Sequence, residues 1–512
     1  MRRIGIDVGG TNTDAVLLDG DRVVFATKTP TTPDVLTGVR KALDAVVAAE
    51  GPAVAAVMIG TTHFVNAVVQ RRDLSPVAAL RLGLPAARSL PPFCDWPDDL
   101  RRMVRGQVHM VEGGHDYDGR PIMPLDERAV AEAARAMRGA GIGCVAISSI
   151  FSPLDPSMEI RAAEIVRAEH PEASITLSHD LGRIGLLERE NVTLMNAALV
   201  PLARHTIRAF EEALRAAGLS CPLYVTQNDG TVIRAELAAR FPVLSFASGP
   251  TNSMRGAAFL TGLKDALVVD VGGTTSDVGA IKGGFPRPAN AVVQIGGVRT
   301  LFRMPDLLSI GLGGGSLVVQ GADGGVTIGP RSVGFRLPEL ARIFGGPELT
   351  TSDIAVAAGQ LRLGDPGGVA GLDPGLVAAA LARAALMLEE AVDRMKTEAA
   401  PVPLLAVGGG AFLVPDHLPG CSEVLRPAHA AVANAVGAAI AQVSGEADQV
   451  FQSVSRAEAI AEAEGIARRR AVEAGADAGT LTLMEMEDLP LAYLPGGALR
   501  VRARVVGEIA AA

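Results

Sequence analysis

Two short runs of this chain carry nearly the same reactive groups in the same order: Asp7-Val8-Gly9-Gly10-Thr11-Asn12-Thr13-Asp14 and Asp270-Val271-Gly272-Gly273-Thr274-Thr275-Ser276-Asp277. The set suits phosphate. Gly9 and Gly10 let backbone N–H groups approach oxyanions closely, Thr11 and Thr13 offer hydroxyls, and Asp7 with Asp14 can hold Mg²⁺, usually through water. Gly272, Gly273, Thr274, Thr275 and the acids Asp270 and Asp277 repeat the arrangement. Alone, D-x-G-G-T reads as a glycine hairpin with an exposed acid. Twice in the same order, with Gly408-Gly409-Gly410 downstream, it reads as a clamp closing on one polyphosphate from two sides. Neither the P-loop spacing nor the G-x-G-x-x-G dinucleotide turn is met at these positions.

Each run follows one short apolar stretch and precedes another, as in a β-hairpin with a tight glycine turn. The copies stand 263 residues apart, which marks a duplicated domain and excludes a short-period solenoid. Ile4, Ile6 and Val8 alternate as on a strand, and residues 35–47 carry apolar side chains at helical spacing before a strand at 54–59. Strands and helices then alternate, which is α/β patterning. Residues 74–123 look irregular and are expected to be an insertion. A helical pattern over 189–217 contains Pro201, where a kink or break is expected. A glycine-dense stretch spans 310–366, an apolar helix at 376–395 is expected in the core, and a tail from about 446 reads as a small α+β appendix. The expected organisation is a first lobe over 1–190, a second over 191–445 and the appendix over 446–512.

A chain of 512 residues with 48% hydrophobic and 20% charged residues is long enough for more than one core. The net charge of -9, one Trp and three Tyr argue against a nucleic-acid surface and for a small-molecule partner. Cys94, Cys144, Cys221 and Cys421 stand far apart and read as buried thiols of a reducing cytosol. No membrane segment or signal peptide is expected, and the cytoplasm is the expected location.

Other polar residues admit two readings. Thr61, Thr62 and His63 end a strand, as a helix N-cap or as substrate contacts. Asn228 and Asp229, before Gly230, form a turn or line a site. Gly313, Gly314, Gly315 and Ser316 permit a tight loop or line the cleft, with the cleft preferred. His109, His115, Asp116 and Asp118 lack metal-site spacing and read as solvated turn residues. Arg71-Arg72 and Arg468-Arg469-Arg470 read as solvated faces.

The duplicated glycine loops resemble the actin, sugar kinase and heat-shock chaperone superfamily, and the chain is similar within it to the hydantoinase A and 5-oxoprolinase family. Six segments carry the likeness: 6–14, 60–66, 227–230, 248–250, 270–277, and 311–316 with 328–330. The resemblance implies two actin-like (ribonuclease H-like) α/β lobes with ATP between them. It makes Asp7–Asp14 the first phosphate loop, Asp270–Asp277 the second and Gly408–Ala411 the adenosine loop, with hinge helices at 251–261 and 430–443. It further implies Mg²⁺ or Mn²⁺ near Asp7, Asp14, Asp270 and Asp277, catalytic roles for Asp7 and Asp270, and substrate contacts from Thr61, Thr62, Asn228 and Asp229. The activity implied is ATP-dependent hydrolysis of a cyclic amide, with ketone carboxylation or a nucleotide-driven switch as alternatives. A B-type second subunit is implied as partner, and a homo-oligomer is left open. One departure stands out: the family's D-x-H is here Asp306-Leu307-Leu308, without the histidine.

Overall fold

Alternation of Ile4, Ile6 and Val8 with smaller or polar residues sets the strand Arg2–Val8 with one side against the core, and the glycine turn folds Asn12–Asp19 back upon it. The structure, a computed structural model, describes residues 1–9, 12–30, 35–182, 184–289, 293–302, 304–322, 324–491 and 497–510. The first sheet begins Arg22–Pro30, Asn12–Asp19, Arg2–Val8, Ala56–Thr61, Leu223–Thr226; its first three strands are antiparallel and the next two run parallel to Arg2–Val8. The second sheet repeats this order with Phe285–Pro286, Ser276–Lys282, Ala266–Val271, Val402–Val407 and Cys421–Leu425. Two lobes with the same strand order and directions make this a duplicated actin-like, ribonuclease H-like α/β fold.

The sheets do not respect the boundaries expected at 190 and 445. Leu223–Thr226 and Val232–Arg234 complete the first lobe, although the sequence puts them in the second half. The tail is no separate appendix. Val443–Phe451, Leu499–Gly507 and Thr482–Pro490 extend the first sheet to nine strands, and alanines of the helix Arg456–Glu473 pack into the same core as Ile4 and Ile6.

The expected insertion is also larger and more regular than residues 74–123. Val77–Leu84, Arg105–Glu112, Cys144–Ser149 and Ser174–Leu177 form a separate parallel sheet with the helices Glu127–Gly139 and Ser157–Glu169. Leu186–Ala216 then runs as one helix through Pro201, without the expected break. Leu199 and Ala203 pack in one core and Ile207 in the next, so burial on both sides of the proline holds the helix together. Among the described residues no helix is long and apolar enough to cross a membrane. All four cysteines are free, and Cys94 is exposed where a buried thiol was expected.

Between the lobes, Ser248–Thr261 packs on the second sheet and Ala433–Ala439 on the first, and the two helices cross in direct contact. The second is shorter than the expected 430–443: a 3-10 turn, Ala430–Val432, precedes it and Val443 already belongs to a strand. A Cβ on Gly256 would lie 1.9 Å from the Ala433 carbonyl oxygen, and one on Gly437 would lie 1.8 Å from that of Asn252. Only glycine permits so close a backbone approach.

Candidate site at the paired acidic hairpins

Both hairpins close in the same register. Asp7 pairs with Asp14 and Asp270 with Asp277, and the turn N–H of Gly9 donates to the Asn12 carbonyl at 3.0 Å as that of Gly272 does to Thr275 at 2.9 Å. The acids also share a neighbour. Gly60, opposite Asp7 on the next parallel strand, would place a Cβ 2.9 Å from Asp7 Oδ1, and Gly408, just past Val407 opposite Asp270, would place one 2.2 Å from Asp270 Oδ1. Glycine at these two points leaves the carboxylates their room. Thr274 and Thr275 stand exposed at the second hairpin's tip; Gly10 and Thr11 lie outside the described residues. Thr13 departs from expectation, being fully buried with its hydroxyl against Gly38, and the equivalent Ser276 donates to the Leu312 carbonyl at 2.6 Å. Strand alternation turns both hydroxyls inward, away from any ligand at the tip.

The four carboxylates form one electrostatic neighbourhood. Burial, then the charges of Asp14 and Asp270, raise Asp7 to about 7 against an Asn434 hydrogen bond that lowers it. Burial and Asp277 raise Asp270 to about 6, and Asp14 from the opposite lobe adds to the effect. Burial also raises Asp14, which Lys28 opposes, and Asp277, which Ser309 opposes. Lys28, directly across the strand pair from Asp14, meets its carboxylate at 2.7 Å. Four acids against a single lysine is a donor set that fits a hard divalent cation. Among the described residues no three His, Cys, Asp or Glu side chains converge as direct ligands, so the fit is to an ion that keeps most of its water.

Several expected ligand contacts are engaged in holding the frame. Thr61 is 1% exposed, accepts from the His63 N–H at 3.1 Å and exchanges backbone hydrogen bonds with the Ser248 hydroxyl at 3.2 and 2.9 Å. Thr62, at the helix N-cap position, makes no capping bond and accepts from Asn66 at 3.2 Å. The Asn228 amide donates to the Val243 carbonyl at 3.0 Å and accepts from the Ala247 N–H at 2.7 Å, fixing the entry to the crossing helix. Asp229 accepts from the Thr231 N–H and hydroxyl and pairs with Arg504 at 2.8 Å. Arg504 and Arg255 both lie over the Phe285 ring, at 5.3 and 4.4 Å, which ties the first lobe to the edge of the second. Asn228 and Asp229 thus hold the frame together in this structure.

The glycine run after Leu312 does not line the cleft either. The N–H groups of Gly314 and Gly315 donate to the carbonyls of Gly272 and Gly273 at 2.9 and 2.7 Å, and that of Gly313 to Ser316 at 2.9 Å. With all three donors committed, the run braces the second hairpin from behind. Gly410 does the same from its side, donating to the Val271 carbonyl at 2.7 Å. On Leu307–Ile310, Ser309 donates to Asp277 while Leu308 packs toward the helix Pro374–Met395, so position 308 faces away from the acids. His115 is 2% exposed beside Asp155 at 3.4 Å, not a solvated turn residue.

Sequence reasoning missed Lys28 and Asn434. The latter, a lone amide in an alanine-rich helix, donates to Asp7 Oδ2 at 3.3 Å, and that isolation among small residues was its only signal.

A model of the hydantoinase/oxoprolinase N-terminal region matches residues 3–170, and a hydantoinase/oxoprolinase model matches residues 189–395. Caprolactamase subunit alpha of Pseudomonas jessenii is 28% identical over 393 residues, covering 71% of this chain and 55% of that protein. Acetophenone carboxylase gamma subunit of Aromatoleum aromaticum is 28% identical over 396 residues, covering 71% and 54%. The chain thus spans about half the length of these curated relatives. Among solved structures, the ATP-dependent caprolactamase of Pseudomonas jessenii superposes with a TM-score of 0.81 at 21% identity, over 99% of this chain and 88% of that one. Nucleotide-free acetone carboxylase gives 0.71 at 19% identity, over 100% and 88%. At such identity the superpositions speak for the fold, while the two family models together cover most of the sequence: the chain belongs to the hydantoinase/oxoprolinase family.

Proposed function

We propose that this chain binds ATP between its two acidic hairpins and uses it to hydrolyse a cyclic amide of the hydantoin, 5-oxoproline or lactam type. The observation that carries the reading is that two acidic hairpins of identical register come near enough for Asp270 to raise Asp7 and for Asp14 to raise Asp270 across the lobes. Amide resonance makes the ring carbonyl a poor electrophile. Transfer of the γ-phosphoryl group to its oxygen activates the carbon; water adds there, the ring C–N bond breaks, and phosphate leaves as a further water is consumed.

Catalysis of this kind rests on positioning and charge compensation. Gly9, Gly10, Thr11, Asn12, Gly272, Gly273, Thr274 and Thr275 are assigned to the phosphates, and Gly408–Gly410 to the nucleoside side. Mg²⁺ or Mn²⁺, held hydrated among Asp7, Asp14, Asp270 and Asp277, would supply positive charge to the transferred group. Asp270 orients the nucleophile, and of the expected substrate contacts Thr62, half-buried and making no capping bond, remains the candidate.

A second reading is supported by the acetophenone carboxylase subunit, which matches as well as the caprolactamase subunit does. In it the same activation serves carboxylation of a ketone. The relatives are named as subunits, and a B-type partner is proposed for this chain too. The test is ADP formation across a panel of cyclic amides and ketones, with and without bicarbonate. Amide-stimulated turnover independent of bicarbonate, abolished in Asp7→Ala and Asp270→Ala, is expected. A bicarbonate requirement would favour the carboxylase, and stimulation by a protein partner alone would favour a nucleotide switch.

A further inference from the structure

Behind the second hairpin, on the face of Leu307–Ile310 that looks away from the acids, lies an open cavity of about 410 Å³. Its floor is apolar, formed by Leu308, Ile310, Met387 and Ala391. The rim is charged: Arg383 at one end, and Glu390, Asp393 and Arg394 at the other. Among the described residues none of these four makes an ion pair. Positions 383, 387, 390, 391 and 394 fall on one stripe of the helix Pro374–Met395.

From these features we infer that the groove is a second binding site, for a short zwitterion whose ammonium and carboxylate are separated by an apolar spacer: the ω-amino acid released when a medium-sized lactam opens. The inference rests on the cyclic-amide reading for the source of that ligand. Arg383 and Glu390 are seven residues apart, or roughly 10 Å along the helix at ~1.5 Å per residue. An extended six-carbon ω-amino acid places its charged groups roughly 7–8 Å apart with C–C bonds of ~1.5 Å, and a ~2.8 Å hydrogen bond at each end reaches the two side chains. The carboxylate meets Arg383, the ammonium meets Glu390 and Asp393, and the methylenes lie on Leu308, Ile310, Met387 and Ala391. An α-amino acid with an uncharged side chain, its ammonium and carboxylate on one carbon, cannot span the two ends. The site touches the chemistry through one residue: Ser309, between Leu308 and Ile310, donates to Asp277 of the second hairpin.

Calorimetric titration of the nucleotide-free full chain with 6-aminohexanoate tests this. Saturable binding is expected, and hexanoate and hexylamine, each lacking one charged end, should bind ~tenfold or more weakly, the loss of one charge-assisted hydrogen bond. Arg383→Ala, Glu390→Gln and the groove-filling Leu308→Trp should each weaken binding by a similar factor, whereas Asp7→Asn should not. Arg383→Ala should leave ADP formation without added amino acid unchanged. Binding unaltered in all three groove variants, equal binding of hexylamine, or no saturation would overturn the inference. Intact groove binding with no amide-stimulated ADP formation would instead sink the catalytic reading and leave the site standing.

Discussion

Gly437→Ala sets two well-known effects against each other, and the structure says which wins. In a helix interior the exchange gains roughly 1 kcal/mol of intrinsic propensity. At the crossing of Ser248–Thr261 and Ala433–Ala439, however, the new methyl would sit 1.8 Å from the Asn252 carbonyl oxygen, where ordinary contact begins at 3.4 Å. The helices would have to part by about 1.6 Å, and the obstacle is backbone, which cannot rotate aside as a side chain does. Overpacking of this kind costs ~3 kcal/mol or more, so the net expectation is a loss of at least ~2 kcal/mol, a roughly thirtyfold fall in the folded ratio. Because these helices join the lobes, ATP affinity should weaken with it. Gly465→Ala, in a helix where the nearest atom is the Arg469 guanidinium at 3.5 Å, is the control and should stabilise slightly. Urea unfolding of both variants, with nucleotide titration, measures the difference. If Gly437→Ala proves as stable as the parent, the crossing is not close-packed as described and the reasoning fails.

Asp7 carries a charge that burial disfavours, with a folded value of about 7 against 3.8 unfolded. The native state therefore takes up the proton first as pH falls, so this group's contribution to stability should rise from pH 8 to pH 5, and Asp7→Asn should flatten that rise in a thermal-melt series of nucleotide-free protein. Asp229→Ala leaves Arg504 and Arg255 buried without their carboxylate and should cost ~3 kcal/mol of stability in urea. KM for the amide should stay unchanged in the folded fraction, and a raised KM at full stability would restore Asp229 to the substrate. Asn434→Ala removes a hydrogen bond to Asp7 and should weaken nucleotide-dependent turnover by roughly tenfold, within the range of one hydrogen bond to a charged group. Unchanged turnover would place Asn434 outside the site.

The hairpins were legible because their signal is local. Acid, glycine and hydroxyl recur within eight residues, and strand period and turn chemistry then fix which acid pairs with which. The same locality misled elsewhere. Asn228 and Asp229 look like ligand groups at a strand end because the partners that hold them, Val243 and Arg504, lie 15 and 275 residues further along. Gly313–Gly315 look like a phosphate cradle for the same reason, since the carbonyls that Gly314 and Gly315 bind belong to the hairpin some 40 residues earlier. The tail could not be assigned to the first lobe either: Leu499–Gly507 carries an ordinary strand pattern, and nothing in that pattern names Val443–Phe451 as its neighbour. Pro201 was read from its missing N–H alone, whereas tertiary burial decides whether a helix survives it.

What the two lobes keep in common is a spatial relation more than a sequence. Each has an acid on its first strand, a second acid directly opposite, and a glycine beside the first acid on, or just past the end of, the next parallel strand. The partners of the second acids have diverged: Asp14 faces the ammonium of Lys28, while Asp277 faces only the hydroxyl of Ser309. A neutral donor offsets less charge than an ion pair in so buried a setting. Of the two second acids Asp277 is therefore the less compensated, and on the proposed reading a cation bringing a polyphosphate between the hairpins would gain more from Asp277 than from Asp14. The lobes are alike in geometry and unequal in the partners of their second acids, which would give the proposed clamp a preferred side, the side on which Leu307–Ile310 and the groove behind it stand.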